Sequence, residues 1–299
     1  MKVLEVKGNP DLALVYLFET ADGRVIEAVE SVQPPIPRRE KWVVIVSTLA
    51  GCPVRCPICD AGTAYEGPLD AEEIMAQVTE LVRRRWGSLR VDSAKFKVQF
   101  ARMGDPAFNP AVLRVLEELP ERLDAPGLMP CISTIAPRGT DAFFEGLAAV
   151  KRERYGGGRF QMQFSLHTTD EEARRELVPA ETWRFERMAA WGRDFFEEGD
   201  RKITLNFAAP EGFPMDAEGL ARVFDPAVFA VKLTPVNPTR SASASGLRGM
   251  VREEDDERNR ELAERFERVG FEVILSIGET EENRIGSNCG MAVRDYVER

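Results

Sequence analysis

The chain has 299 residues, 43% of them hydrophobic and 30% charged, with a net charge of −10 and a pI near 5.0. That length supports one large core with an appendage better than several small domains. No run approaches the roughly 18 to 20 apolar residues of a membrane helix. The start, MKVLEVKGNPDLALVYLFET, is charged throughout and lacks an apolar stretch with a cleavage site, so a cytoplasmic protein without membrane association is expected. The acidic balance argues against a chain whose main task is gripping a phosphate backbone. Local basic clusters at Arg38, Arg39 and Lys41, at Arg83 to Arg85 and at Lys151, Arg152 and Arg154 read as solvated faces.

Residues 10–31 read as a β-hairpin, LALVYLFET and RVIEAVE joined by a turn at Ala21-Asp22-Gly23. The Pro-rich segment from Gln33 to Arg39 follows as an extended linker. From residue 41 onward, short β-branched or aromatic runs recur at 42–48, 96–101, 129–134, 160–166, 202–208, 228–234 and 271–276. Helical patterns lie between most of them. The clearest begins with a capping box, Asp70 and Glu73, after which Ile74, Val78 and Leu81 share a face. Pro110 opens another helix, and residues 254–269 form a highly charged one. Alternating strands and helices imply parallel βα units. The expected fold is α/β, a partial (β/α)6-type barrel with a small N-terminal β-hairpin appendage. Residues 1–40 form the hairpin and linker, and residues 41–299 the barrel with a C-terminal catalytic loop. In such barrels the chemistry sits at the C-terminal ends of the strands. The Ser-rich stretch from Thr239 to Gly249 reads as a flexible loop over that mouth.

Five cysteines are too few and too uneven for a secreted disulfide framework, since Cys52, Cys56 and Cys59 fall within eight residues. They follow the first barrel strand directly, in Gly51-Cys-Pro-Val-Arg-Cys-Pro-Ile-Cys59. Three thiolates on one tight loop can ligate three irons of a cubane cluster and leave the fourth open. A closed zinc site needs a fourth ligand. The remaining candidates, His167, Cys131 and Cys289, are distant in sequence.

The C-x3-C-x2-C spacing after a first barrel strand resembles the radical S-adenosylmethionine superfamily. The further motifs FETADGRVIEAV, LDAEEIMAQV, RMGDPAFNP, STIAP, SLHTTDEEARRELVP, LTPVNP and GSNCGMA, in that order from about Phe18 to Met291, resemble the class A radical methyltransferases, which methylate adenine carbons of rRNA and tRNA. The resemblance implies a [4Fe-4S] cluster on Cys52, Cys56 and Cys59, and S-adenosyl-L-methionine chelating the open iron. An electron donor such as flavodoxin or ferredoxin is implied with them. It places Gly104 and Asp105 at the cofactor's α-ammonium and Ser133 at its carboxylate. Ser165, Leu166 and His167 would lie along ribose and adenine, and Asn237 at the nucleoside. By the same resemblance, Cys289 carries a methyl group from one S-adenosylmethionine. A radical from a second abstracts hydrogen from it, the resulting carbon radical adds to adenine, and Glu27 removes the ring proton. A second cysteine, seven residues before Cys52, would then release the product by forming a disulfide. That position is Ile45. Cys131, two residues before Ser133 on the same strand face, is the candidate substitute.

The expected function is therefore a class A-like methyltransferase acting on adenine in RNA or a related heteroaromatic. The alternatives are a different radical reaction on a small metabolite or peptide, and a non-catalytic iron–sulfur sensor.

Overall fold

The computed structural model describes residues 1–252, 254–278, 285 and 288–299. Its strands in chain order are β1 (Lys2–Asn9), β2 (Ala13–Glu19), β3 (Val25–Ser31), β4 (Lys41–Val46), β5 (Leu49–Gly51) and β6 (Tyr65–Pro68). Then follow β7 (Lys95–Phe100), β8 (Leu128–Thr134), β9 (Gln161–Ser165), β10 (Ile203–Phe207), β11 (Phe229–Leu233) and β12 (Glu272–Leu275). All seven expected barrel strands form. They pair in the parallel order β4-β7-β8-β9-β10-β11-β12.

Period-two alternation explains why. Val44, Val98, Ile132, Phe164, Leu205 and Val231 point to one face and are fully buried under the helices. The opposite, inward face carries Val43, Lys97, Cys131, Gln163, Asn206 and Lys232, a mostly polar set. The outer layer is held by helices such as Ala71–Trp86. There the Asp70–Glu73 capping box forms as expected, Gly87 ends the helix in the left-handed region, and Ile74, Val78 and Leu81 are buried against the sheet. Each such side chain contributes roughly 1.5–3 kcal/mol and the cap about 1 kcal/mol. The helix also sets the start of the cysteine loop: Gln77 accepts from Ser47 N–H at 2.9 Å and donates back to its carbonyl at 2.9 Å.

The expected N-terminal hairpin is present, and it is continuous with the barrel sheet. β1, β2 and β3 extend the same sheet antiparallel through β4, with Val29 opposite Ile45, giving ten continuous strands. Tyr16 and Trp42 both donate to the buried Glu30, which pairs with Arg85 of the first long helix and stitches hairpin to barrel. β5 and β6 form a two-stranded ribbon that brackets the cysteine loop. The stretch from Thr239 is not simply a loop either. Thr239 caps a short helix, Arg240–Ala244, by accepting from Ala242 N–H. Among the described residues no helix is long and apolar enough to cross a membrane.

Candidate active site

The cysteine loop leaves β5 at Gly51 and returns at Tyr65, with Cys52 N–H donating to Ala64 at 3.2 Å and Cys59 N–H to Cys56 at 3.1 Å. Cys52, Cys56 and Cys59 open onto a chamber of about 250 Å³ at the C-terminal ends of the barrel strands, and Ile58, Gly104, Asp105, Ser133, Ser165, His167, Asn206, Asn237 and Cys289 line it too. Residues far apart in sequence are thus brought together by one end of one sheet. Burial pushes the Cys52 thiol up to about 12 and Cys56 well above its usual range, while the neighbouring Cys289 thiol draws Cys59 down. Thiols so placed become anions once cations sit among them. Among the described residues no three His, Cys, Asp or Glu side chains converge on a single ion. A cubane asks for a looser set, one thiolate on each of three irons.

Gly104 adopts φ +85°, and a Cβ there would meet the Leu49 side chain at 2.3 Å, so only glycine lets the turn after β7 reach the ribbon. The neighbouring Asp105 accepts from Thr134 Oγ1 at 2.7 Å, Ile135 N–H at 2.6 Å and Ala107 N–H at 2.9 Å. A carboxylate offers about four acceptor sites, so one remains for a ligand's ammonium. Burial raises its pKa to about 6 against the opposing pull of these donors and of Arg174. Ser133 Oγ lies 3.3 Å from Ser165 Oγ and accepts from Gln163 at 2.8 Å, which leaves its own proton available to the chamber. His167, also at positive φ, accepts from Ala208 N–H at 3.2 Å through Nδ1. Burial and Arg174 hold its pKa down near 3, so it is neutral and presents Nε2–H. Leu166 is a correction to the sequence reading. It alternates with Ser165, faces the helix layer and is fully buried, so only its backbone takes part, donating to Asn206 O at 2.9 Å.

Four contributors were not anticipated. Asn206 enters the wall from β10 with its Oδ1 buried and without a partner, an acceptor waiting for a ligand donor. Its only signal in the sequence is a polar residue at an inward position of KITLNFA. Arg174 is buried and donates to Ile135 O at 2.9 Å and Ser165 O at 2.8 Å, tying the ends of β8 and β9. Asp60 follows Cys59 and accepts from Arg240 N–H, Ser241 N–H, Ser241 Oγ and Arg294 at 2.6–3.1 Å, joining the cysteine loop to two distant helices.

The fourth is Arg102, and it revises Glu27. Glu27 is fully buried and does not line the chamber. It pairs with Arg102 at 2.7 Å and accepts from Gly290 N–H at 2.5 Å and Val293 N–H at 3.0 Å, so it sits on the N-terminus of the last helix, Met291–Val297. Arg102 also donates to Asn288 O at 2.9 Å. Gly290, at φ +82°, packs so closely on the cysteine loop that a Cβ would meet Ala61 N at 2.1 Å. This clamp sets Cys289 in the chamber wall, its thiol on Arg102 O beside Cys59. Gly286 and Ser287 of the expected GSNCG loop lie outside the described residues. Cys131 does not line the chamber. Its sulfur rests on Met129 O and Gln161, and it shares no hydrogen-bond neighbour with Cys289.

The chain is related to the class A radical S-adenosylmethionine methyltransferases. The relationship appears in sequence and in fold. The chain is 29% identical over 300 residues to the probable dual-specificity RNA methyltransferase RlmN of Frankia alni, covering 94% of this chain and 65% of that protein. It is 30% identical to the protein of the same name from Deinococcus deserti, over 79% of this chain and 66% of that one. It is also 30% identical to the ribosomal RNA large subunit methyltransferase N of Nitrosopumilus maritimus, over 75% and 63%. The chain thus spans about two thirds of the length of these relatives. No family model matches it. The crystal structure of a radical SAM methyltransferase from Sphaerobacter thermophilus superposes with a TM-score of 0.75 at 24% identity, over 97% of this chain and 80% of that one, a likeness of fold.

Proposed function

We propose that this chain is a class A-like radical methyltransferase acting on an adenine carbon in RNA. One observation carries the reading: the three cysteines, the Gly104–Asp105 turn, Ser133, His167 and Cys289 all face one chamber, although they come from five separate segments of the chain. Cys52, Cys56 and Cys59 would hold a [4Fe-4S] cluster, recharged by a donor such as flavodoxin or ferredoxin. Asp105 would accept from the α-ammonium of S-adenosylmethionine, Ser133 would donate to its carboxylate, and His167 and Asn206 would meet the nucleoside. Bound there, the pair would supply an electron and a sulfonium able to yield a 5′-deoxyadenosyl radical.

Cys289 is the methyl-carrying residue in this reading, and its position beside Cys59 supports it. Glu27 acts by holding that cysteine, through Arg102 and the last helix. Asn237 stands exposed where the chamber meets a wider groove of about 760 Å³ that shares Pro235 and Val236 with it, an entry for the substrate base. The RNA substrate follows from what the relatives' names say of them. With Ile45 in the place of a second thiol and Cys131 facing other neighbours, release of product falls to a thiol from outside the chain.

Anaerobic reconstitution with S-adenosylmethionine tests the reading. The expected products are 5′-deoxyadenosine and a peptide bearing S-methyl on Cys289. Deoxyadenosine without any methyl on Cys289 would move the assignment to a different radical reaction.

A further inference from the structure

Beneath the chamber floor the inward face changes character. Lys41 and Lys95 are register partners on β4 and β7, Lys97 lies two residues further along β7, and Lys232 enters from β11 opposite. All four lie on the inward face near enough to Cys131 or to one another to interact electrostatically. Lys97 and Lys41 both act on Lys232, while Lys97, Lys41 and Arg201 act on Lys95. Lys97 is only 9% exposed, and among the described residues neither its ammonium nor that of Lys232 has a hydrogen bond or ion pair. Lys41 is bonded only to the neutral Gln33 side chain.

Among the described residues no carboxylate forms an ion pair with any of the four, in a chain that carries 50 acidic against 40 basic side chains. Burying like charges without a counter-ion is costly, and it persists where something else supplies the charge. The surrounding residues, Gln161, Gln163 and the Cys131 thiol, are neutral. Lys41, Lys95 and Lys232 are half-buried, so the lumen stays open to solvent.

We propose that this lower lumen is a binding site for a phosphate-bearing group, with Lys97 and Lys232 as its principal donors and Lys41 and Lys95 completing it. Several ammonium groups on one face suit a compact multiply charged anion, which they meet as point charges. The site lies directly under Ser133, two residues beyond Cys131 on the same strand face, so a ligand anchored there extends upward toward the chamber. Burial and mutual repulsion already push Lys95 and Lys232 down to about 8. An anion among them restores their charge, so binding weakens as pH rises above about 8. The site exists independently of the proposed methyl transfer, because filling it needs neither cluster nor radical.

The test is titration of the full chain with inorganic pyrophosphate, read as a shift in melting temperature and as protection of Lys97 and Lys232 from acetylation by acetic anhydride, mapped by mass spectrometry. The expected result is saturable protection of both lysines, with the half-effect concentration rising at least tenfold in Lys97→Met and Lys232→Met and little in Lys97→Arg. Adenosine diphosphate forms a second arm. Tighter protection than by pyrophosphate assigns the site to the phosphate of a nucleotidyl substrate, and equal protection assigns it to free phosphate. The acetylation readout on the unmodified chain stands even where a variant fails to fold. Absence of protection by either compound, or a response unchanged in folded Lys97→Met, overturns the proposal.

Discussion

Asp105 shows how one side chain serves structure and ligand together. Its folded pKa near 6 lies above the ordinary carboxylate value of 3.8, because burial outweighs Thr134, Ile135, Ala107 and Arg174. A raised carboxyl pKa means that the protonated form is favoured at low pH and that ionisation, half complete at about 6, costs stability. An ammonium ligand reverses that preference. Affinity for S-adenosylmethionine is expected to fall as pH drops through about 6, with proton release on binding in that range, both measurable by calorimetry in two buffers. His167, held neutral down to about 3, adds no inflection there. Glu27 behaves differently, because its partner is a buried guanidinium. Glu27→Gln leaves Arg102 without its counter-charge, and a loss of roughly 3 kcal/mol in denaturant unfolding is expected. Cys289 methylation is expected to decline more than 5′-deoxyadenosine formation, as befits a positioning residue; equal loss of both would argue for a direct chemical role. The resemblance named Glu27 and Cys289 as parts of one site, with Glu27 as a base, and gave no sign of the clamp through Arg102 and Gly290. Nothing in FETADGRVIEAV indicates that its glutamate meets a helix 263 residues away.

At the scale of elements, the last helix and the cysteine loop behave as one unit joined by Glu27, Asp60 and Gly290. Gly290→Ala forces a left-handed residue to carry a Cβ into Ala61, at a cost of roughly 2 kcal/mol or more if the segment stays docked. Proteolysis is expected to cut the C-terminal segment of that variant faster while the barrel stays resistant; unchanged cleavage would mean that the docking is not set there. Most of the barrel strands were legible because they send alternate residues under the helices, and β12, whose residues are half-exposed or exposed, was legible from its β-branched run alone. β1 was not legible: its residues are half-exposed and charged, KVLEVKGN, and it gains order from pairing with β2. β5 and β6 are too short, and too rich in glycine and proline, to show a period at all. Leu166 was misplaced for the converse reason. A motif names neighbours together, but a strand sends them to opposite faces.

Over the whole molecule, the hairpin and the barrel share one sheet, and the buried Glu30 joins Tyr16, Trp42 and Arg85 across the expected boundary at residue 40. Removing residues 1–40 would bare the edge of β4, delete Glu27 and strand Arg85 and Arg102. The truncated chain is expected to be insoluble or to lack a cooperative melting transition, whereas an independent appendage would leave a folded barrel. The placement of chemistry at one sheet end was legible, since each motif follows an expected strand. The clamp and the basic lumen were not, because both arise from side chains that meet only after the sheet closes. The central claim is that the three-cysteine loop holds a cluster with one open iron beside Asp105 and Ser133. Electron paramagnetic resonance of the reduced, reconstituted chain tests it most directly: a [4Fe-4S] signal is expected whose g-values shift when S-adenosylmethionine is added. A signal indifferent to that addition, or zinc in the loop of protein purified anaerobically, would contradict it.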